Sequence, residues 1–200
     1  MDVFPTAYFG SIQYYKMLVA SENPVIETKE HFIKQTCRSR CEILGPNGKQ
    51  TLSVTTKKVN GSKTVMDEME IIDDEWRKNH WKSLETAYAS SAYFDFYGTE
   101  VNELIFNSEK SLLVLNNLIH KRIISWLELP ITVEYSQSFV ENIDLKNDYR
   151  AFDFSSMSNE KHGNYTQVFA EKKDTVHNLS MLDLVFNQGP MARNWIVFPN

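Results

Sequence analysis

The sequence predicts a single mixed α/β domain over residues 1–200, with an N-terminal β-α-β unit, a β-hairpin near 40–56 and a mainly helical C-terminal half. Three observations carry this reading. Ile12, Tyr15, Leu18 and Val19 fall on one helical face between two short extended candidates. Two runs that alternate apolar and polar residues flank Pro46-Asn47-Gly48. A longer one-faced stripe, Leu112, Leu115, Ile119, Ile123, Trp126 and Leu127, follows Ser108.

Taken in order, residues 2–8 read as a short strand, and Ser11 offers a hydroxyl to cap the helix after it. Pro24-Val25-Ile26 opens the next strand, and the order β-α-β implies parallel pairing through a right-handed crossover. In the hairpin, Cys41 and Ile43 share one side, Leu52, Val54 and Thr56 alternate on the return, and Asn-Gly tolerates positive φ at the turn. Asp73 or Asp74 caps a helix that carries Trp76, His80, Leu84 and Tyr88 at four-residue spacing. The long helix spans about 108–129, and Pro130 stops it. Residues 131–135 read as a strand, 136–162 as an irregular polar stretch long enough for a lid, and 165–169 as a short strand. Asn178 or Ser180 caps a last helix through Met181, Leu182, Val185 and Phe186, which Gly189 ends.

Composition narrows the function. The net charge of −5 gives no general pull toward nucleic acid or anionic membranes, so anion binding requires a local basic cluster. No apolar run approaches the roughly 20 residues of a membrane span, and the N-terminus carries no signal-peptide pattern, so a cytoplasmic location is expected. Cys37 and Cys41 are expected as free thiols. There is no G-x-G-x-x-G, no P-loop, no D-x-D and no H-E-x-x-H, and His31, His80, His120, His162 and His177 are scattered. No cofactor and no metal site is expected.

The basic cluster is Lys34, Arg38 and Arg40. If the strand begins near Cys37, Arg38 and Arg40 share a face, opposite Cys41 and Ile43, and two guanidiniums there can grip phosphates or a carboxylate. The competing reading is a solvated basic face, with Arg40 paired to Glu42 or Glu27. His80 is the candidate proton-transfer group, since an unperturbed imidazole titrates near neutrality. Trp76 offers a stacking surface one helical turn away, although a core face with a satisfied histidine explains the pair as well. Arg150, in Asp148-Tyr149-Arg150, is placed to close over an anion or to form a local ion pair. Tyr8 and Gln13 stand at the first strand-to-helix junction, where α/β units prefer to bind ligands.

Several segments together carry a family likeness. They are Ala7-Tyr8-Phe9-Gly10-Ser11-Ile12-Gln13-Tyr14-Tyr15, Lys34-Gln35-Thr36-Cys37-Arg38-Ser39-Arg40-Cys41, Trp76-Arg-Lys-Asn-His80-Trp81, Asp148-Tyr149-Arg150, Tyr165-Thr-Gln167-Val168-Phe169 and Asn178-Leu-Ser180-Met-Leu-Asp183. In this order they resemble the WbqC-like family, in its short Bacteroidetes-type form. The chain departs from that pattern where Phe4-Pro5 offers no His, where Ser11 stands in place of Pro, and where Cys37-Arg38-Ser39-Arg40 replaces Tyr-Arg-Asn-Arg. The resemblance implies a role in O-antigen and related lipopolysaccharide biosynthesis and transfers no catalytic residue. Two functions follow as expectations. One is a transferase that modifies a nucleotide-linked sugar, with an anionic nucleotide sugar or acyl donor as small-molecule partner. The other is a non-catalytic binding or adaptor protein of the same pathway, for which a surface with no enclosed pocket and a sizeable exposed apolar patch is expected.

Overall fold

The computed structural model describes residues 1–57, 59–155, 165–169 and 176–198. β1 (Asp2–Pro5), α1 (Ile12–Ala20) and β2 (Pro24–Glu27) form the expected β-α-β unit, with Asp2 beside Pro24 and Pro5 beside Glu27 in a parallel register. The Ser11 hydroxyl accepts the Tyr14 N–H at 3.2 Å, which closes the first turn of α1.

The hairpin consists of β3 (Arg40–Gly45) and β4 (Gly48–Ser53), with Cys41 opposite Leu52 and Gly45 opposite Gly48. Its loop is Pro46 and Asn47, and the positive φ falls on Gly48 at 116° rather than on Asn47. Thr56 leaves the hairpin. It opens β5 (Thr56–Lys57), which pairs antiparallel with β6 (Glu70–Ile71). The Val54 N–H on the Ser39 carbonyl, at 2.9 Å, is the last bond of the hairpin ladder, and from the next residue the chain pairs elsewhere, the Thr55 carbonyl taking the Ile72 N–H at 2.9 Å.

Three helices follow: α2 (Trp76–Tyr88), α3 (Phe94–Phe106) and α4 (Leu112–Trp126). Two expectations are corrected here. α3 was not foreseen, because Gly98 and a run of aromatic residues are poor helix formers taken singly, and tertiary packing of Tyr97, Val101, Leu104 and Ile105 overrides them. α4 begins at Ser111, not Ser108. Ser111 Oγ accepts from the Val114 N–H, and the Leu112 N–H is held by the Met69 carbonyl.

β7 (Glu134–Tyr135) is the expected third strand, reduced to two residues and parallel to β2, which gives the sheet order β1-β2-β7. Residues 165–169 form no strand: they pair with no strand among the described residues, and Tyr165 and Gln167 instead bond the buried Asp183 through their side chains. Residues 156–162 of the predicted polar stretch lie outside the described residues. α5 (Met181–Gln188) is capped by Ser180 and ended by Gly189 at φ 54°, where a Cβ would come within 2.4 Å of the Tyr93 ring. It is not the last helix, since α6 (Ala192–Val197) follows. One continuous core joins the sheet, the hairpin and the helices. Among the described residues, no helix is long and apolar enough to cross a membrane.

Candidate functional site

The starts of α1 and α5 meet head to head. Ser11 and Ser180 form an antiparallel bridge, with the Ile12 N–H on the Leu179 carbonyl and the Met181 N–H on the Gly10 carbonyl, both at 2.9 Å. Beside this junction lies a cavity of about 430 Å³, bounded by β3, by the turn before it, by both capping serines and by residues 150–155. The first-turn N–H groups are already bonded: Gln13 to Asn178 Oδ1 at 3.0 Å, Tyr14 to Ser11, and Leu182 to Ser180. The two helix ends therefore contribute positive potential to the cavity rather than free donors.

Arg40 supplies the free donors. It is half-buried on β3, lines the cavity, and its side chain makes no ion pair or hydrogen bond with any described residue. The two carboxylates that the sequence offered it are engaged elsewhere. Glu42 pairs with Lys49. Glu27, fully buried, accepts from Ser136 Oγ at 2.6 Å, the Val140 N–H at 2.8 Å and Arg150 at 3.5 Å. The remaining lining is mixed: Thr36 and Asn178 contribute polar groups already bonded within the protein, Phe152 an exposed ring, and Asp153 a carboxylate that accepts from Ser155.

The other predicted site residues stand differently from expectation. Arg38 precedes the strand and lies in a turn, so it does not share a strand face with Arg40. It is 1% exposed and grips Glu30 through Nε (2.8 Å) and Nη2 (2.6 Å), with further bonds to the Arg150 carbonyl at 2.9 Å and Thr36 Oγ1 at 3.2 Å. Burial still holds the Glu30 carboxyl above the usual carboxylate range, against the pull of Arg38. Lys34 is exposed and outside the cavity lining. Arg150 lines the cavity, but its guanidinium is committed to Asp148 (2.8 and 2.6 Å) and the Val140 carbonyl (2.9 Å), and it stacks on Phe139. Gln13 gives its N–H to Asn178 and does not line the cavity.

His80 is 4% exposed and lies in a different place. Its Nδ1 bonds the Tyr8 hydroxyl at 2.9 Å and its Nε2 the Ser53 carbonyl at 3.1 Å. Burial pushes its pKa down to about 4, so it is neutral and donates from Nε2 at neutral pH. Trp76 is buried, gives its Nε1–H to the Ile72 carbonyl at 3.0 Å, and carries Arg77 on its face. Trp76 and His80 border a shallow groove beside β4, while Arg40 faces the cavity. Arg40 and Arg150 are thus the predicted site residues that the cavity brings together.

The sequence profile of the WbqC-like protein family matches residues 6–162. The chain belongs to the WbqC-like protein family. No curated protein and no solved structure matches it. The matched region of this WbqC-like chain includes Ser11, Arg40 and the wall through Ser155, and ends before Asn178 and Ser180, which complete the cavity. Those two were legible only as helix caps. Cys37 and Cys41 are free, and both line the cavity. Burial pushes the Cys37 thiol up to about 12 and Cys41 likewise upward, so neither is a ready thiolate. Among the described residues, no group of three or more His, Cys, Asp or Glu side chains is arranged to hold a metal ion.

Proposed function

We propose that this WbqC-like chain binds an anionic, hydroxyl-rich small molecule of the nucleotide-linked sugar class in the Arg40 cavity. In that capacity it serves surface polysaccharide (O-antigen and lipopolysaccharide) biosynthesis in the bacterial cytoplasm. The observation that carries this reading is the unpaired Arg40 guanidinium in a cavity of about 430 Å³. A cation without a carboxylate partner in a part-buried site loses hydration and gains nothing inside the protein, so a ligand anion is the partner that explains it. The volume falls within the range of small-molecule sites. Helix potential adds to the attraction, while hydroxyl and amide groups and the Phe152 ring suit a sugar or a base. A concave site of this size favours ligand binding over the adaptor.

A transferase acting on that ligand is the second reading. It is favoured by Asp153, a carboxylate on the wall 150–155 and the kind of group that takes a proton from a sugar hydroxyl or amine. His80, neutral and bonded on both nitrogens outside the cavity, does not supply that step. Thermal shift and calorimetry with UDP-N-acetylglucosamine, other nucleotide sugars and acyl-CoA test both readings. A ligand at a hundredfold its Kd adds about 2.7 kcal/mol of stability. Stabilisation without turnover supports the binding protein. Turnover that falls in Asp153→Asn with affinity retained supports the transferase. No stabilisation by any anionic ligand contradicts both.

A further inference from the structure

The wall 150–155 has no helix or strand to fix it. At its far end Phe154 is anchored, with its ring in the core and its carbonyl accepting from Asn178 Nδ2 at 3.0 Å, but the main chain of 150–153 is held by short-range bonds, the Arg150 N–H to Asp148 and the Phe152 N–H to the Tyr149 carbonyl. Such bonds shape a loop but do not set its distance from Arg40, which stands on another element. Arg38 supplies that connection. Its main chain is tied to the Arg40 side of the cavity, since Asn116 Nδ2 holds the Arg38 carbonyl at 2.8 Å and the Ser39 carbonyl takes the Val54 N–H. Its side chain crosses to the opposite wall and donates to the Arg150 carbonyl at 2.9 Å. Glu30 occupies Nε and one N–H of Nη2 and fixes the plane of the fork, so the second Nη2 N–H points at that carbonyl. Four of the five guanidinium N–H groups are bonded and 1% of the residue's surface is exposed, so Arg38 is buried away from a ligand.

We propose that the buried Glu30–Arg38 pair is a positioning device for the ligand cavity. It holds the Arg150 carbonyl, and with it residues 151–153 up to the Phe154 anchor, at the distance from Arg40 that the ligand requires. This rests on the ligand-binding reading above. It separates from a merely structural role because a buried ion pair is not needed for stability. Replacing such a pair by apolar residues of similar volume is often neutral or stabilising, whereas removing one partner is not.

The test is the double variant Glu30→Leu/Arg38→Met beside Arg38→Lys. The lysine keeps the charge but cannot hold Glu30 and the carbonyl together. Urea unfolding, hydrogen exchange without ligand, and calorimetry with inorganic pyrophosphate and UDP-N-acetylglucosamine are measured on each. In the double variant, amides 150–153 should exchange about tenfold faster or more, with hairpin 40–53 unchanged and stability near wild type. Affinity for whichever probe binds wild type should fall about tenfold or more, a loss near 1.4 kcal/mol. If Arg38→Lys fails to fold, the apolar pair carries the test alone. A stable double variant with wild-type exchange at 150–153, or with faster exchange and unchanged affinity, overturns the proposal. If wild type binds neither probe, the ligand reading fails for them, and the exchange pattern alone decides whether the pair holds the wall.

Discussion

The Arg40 cavity and the Tyr8–His80–Trp76 cluster looked alike as candidates, since each offered polar side chains beside aromatic ones. They differ in how far those polar groups are satisfied. Both His80 nitrogens, the Tyr8 hydroxyl and the Trp76 N–H have protein partners, and burial keeps the imidazole neutral. Arg40 has none among the described residues, although Lys49, Arg38 and Arg150 around it are all paired. A satisfied polar group is accounted for by the fold. An unpaired charge facing a cavity is not, and it is where a ligand is expected.

The largest effect should come from breaking the cluster. His80→Ala removes a buried ring and strands the Tyr8 hydroxyl and the Ser53 carbonyl, at a cost of about 3 kcal/mol. Urea unfolding should record that loss while ligand affinity, measured on the folded fraction, stays within about twofold. A large affinity loss without destabilisation would move the functional site to His80.

Acid should act on that cluster through His80 and, separately, on His120 of α4, whose Nδ1 bonds the Tyr15 hydroxyl at 3.1 Å. His80 and His120 are both pushed down to about 4 by burial, against 6.5 for the free group. A depressed histidine means that the unfolded chain binds more protons, so stability is full above pH 6.5 and declines as pH falls toward 4. At 1.36 kcal/mol per pKa unit, each contributes about 3 kcal/mol to that decline. His120→Gln should remove about one proton from the uptake on unfolding near pH 5, and an unchanged slope would contradict the burial argument.

How much of this was legible follows the same division. The β-α-β unit, the hairpin and the Ser180-capped helix were readable because their signals are local: a capping hydroxyl, an alternation, a turn. α3 was hidden because its residues favour a helix only once packed against their neighbours. The Arg38 assignment failed for a related reason. Counting alternation back from Cys41 placed it on the strand, but the strand starts at Arg40, and Glu30, eight residues away, was not foreseeable as its partner. Arg40 was readable as a candidate, but its lack of a partner was not, because pairing is a property of the folded neighbours.

A smaller effect concerns the thiols. With Cys37 pushed up to about 12, alkylation at pH 8 should run roughly a hundredfold slower than for free cysteine. Because Cys37 lines the cavity, a bound nucleotide sugar should slow it further. Rates unaffected by a ligand known to bind would place that ligand elsewhere.

The central claim is tested most directly on Arg40→Ala, by measuring urea stability and nucleotide-sugar affinity on the same preparation. Arg40 has no partner to lose, so stability should stay within about 0.5 kcal/mol of wild type. Charge-assisted bonds to the ligand anion should vanish, which weakens binding by about 1.5–3 kcal/mol, roughly tenfold to more than a hundredfold. A variant that is destabilised yet binds as wild type does would contradict the account.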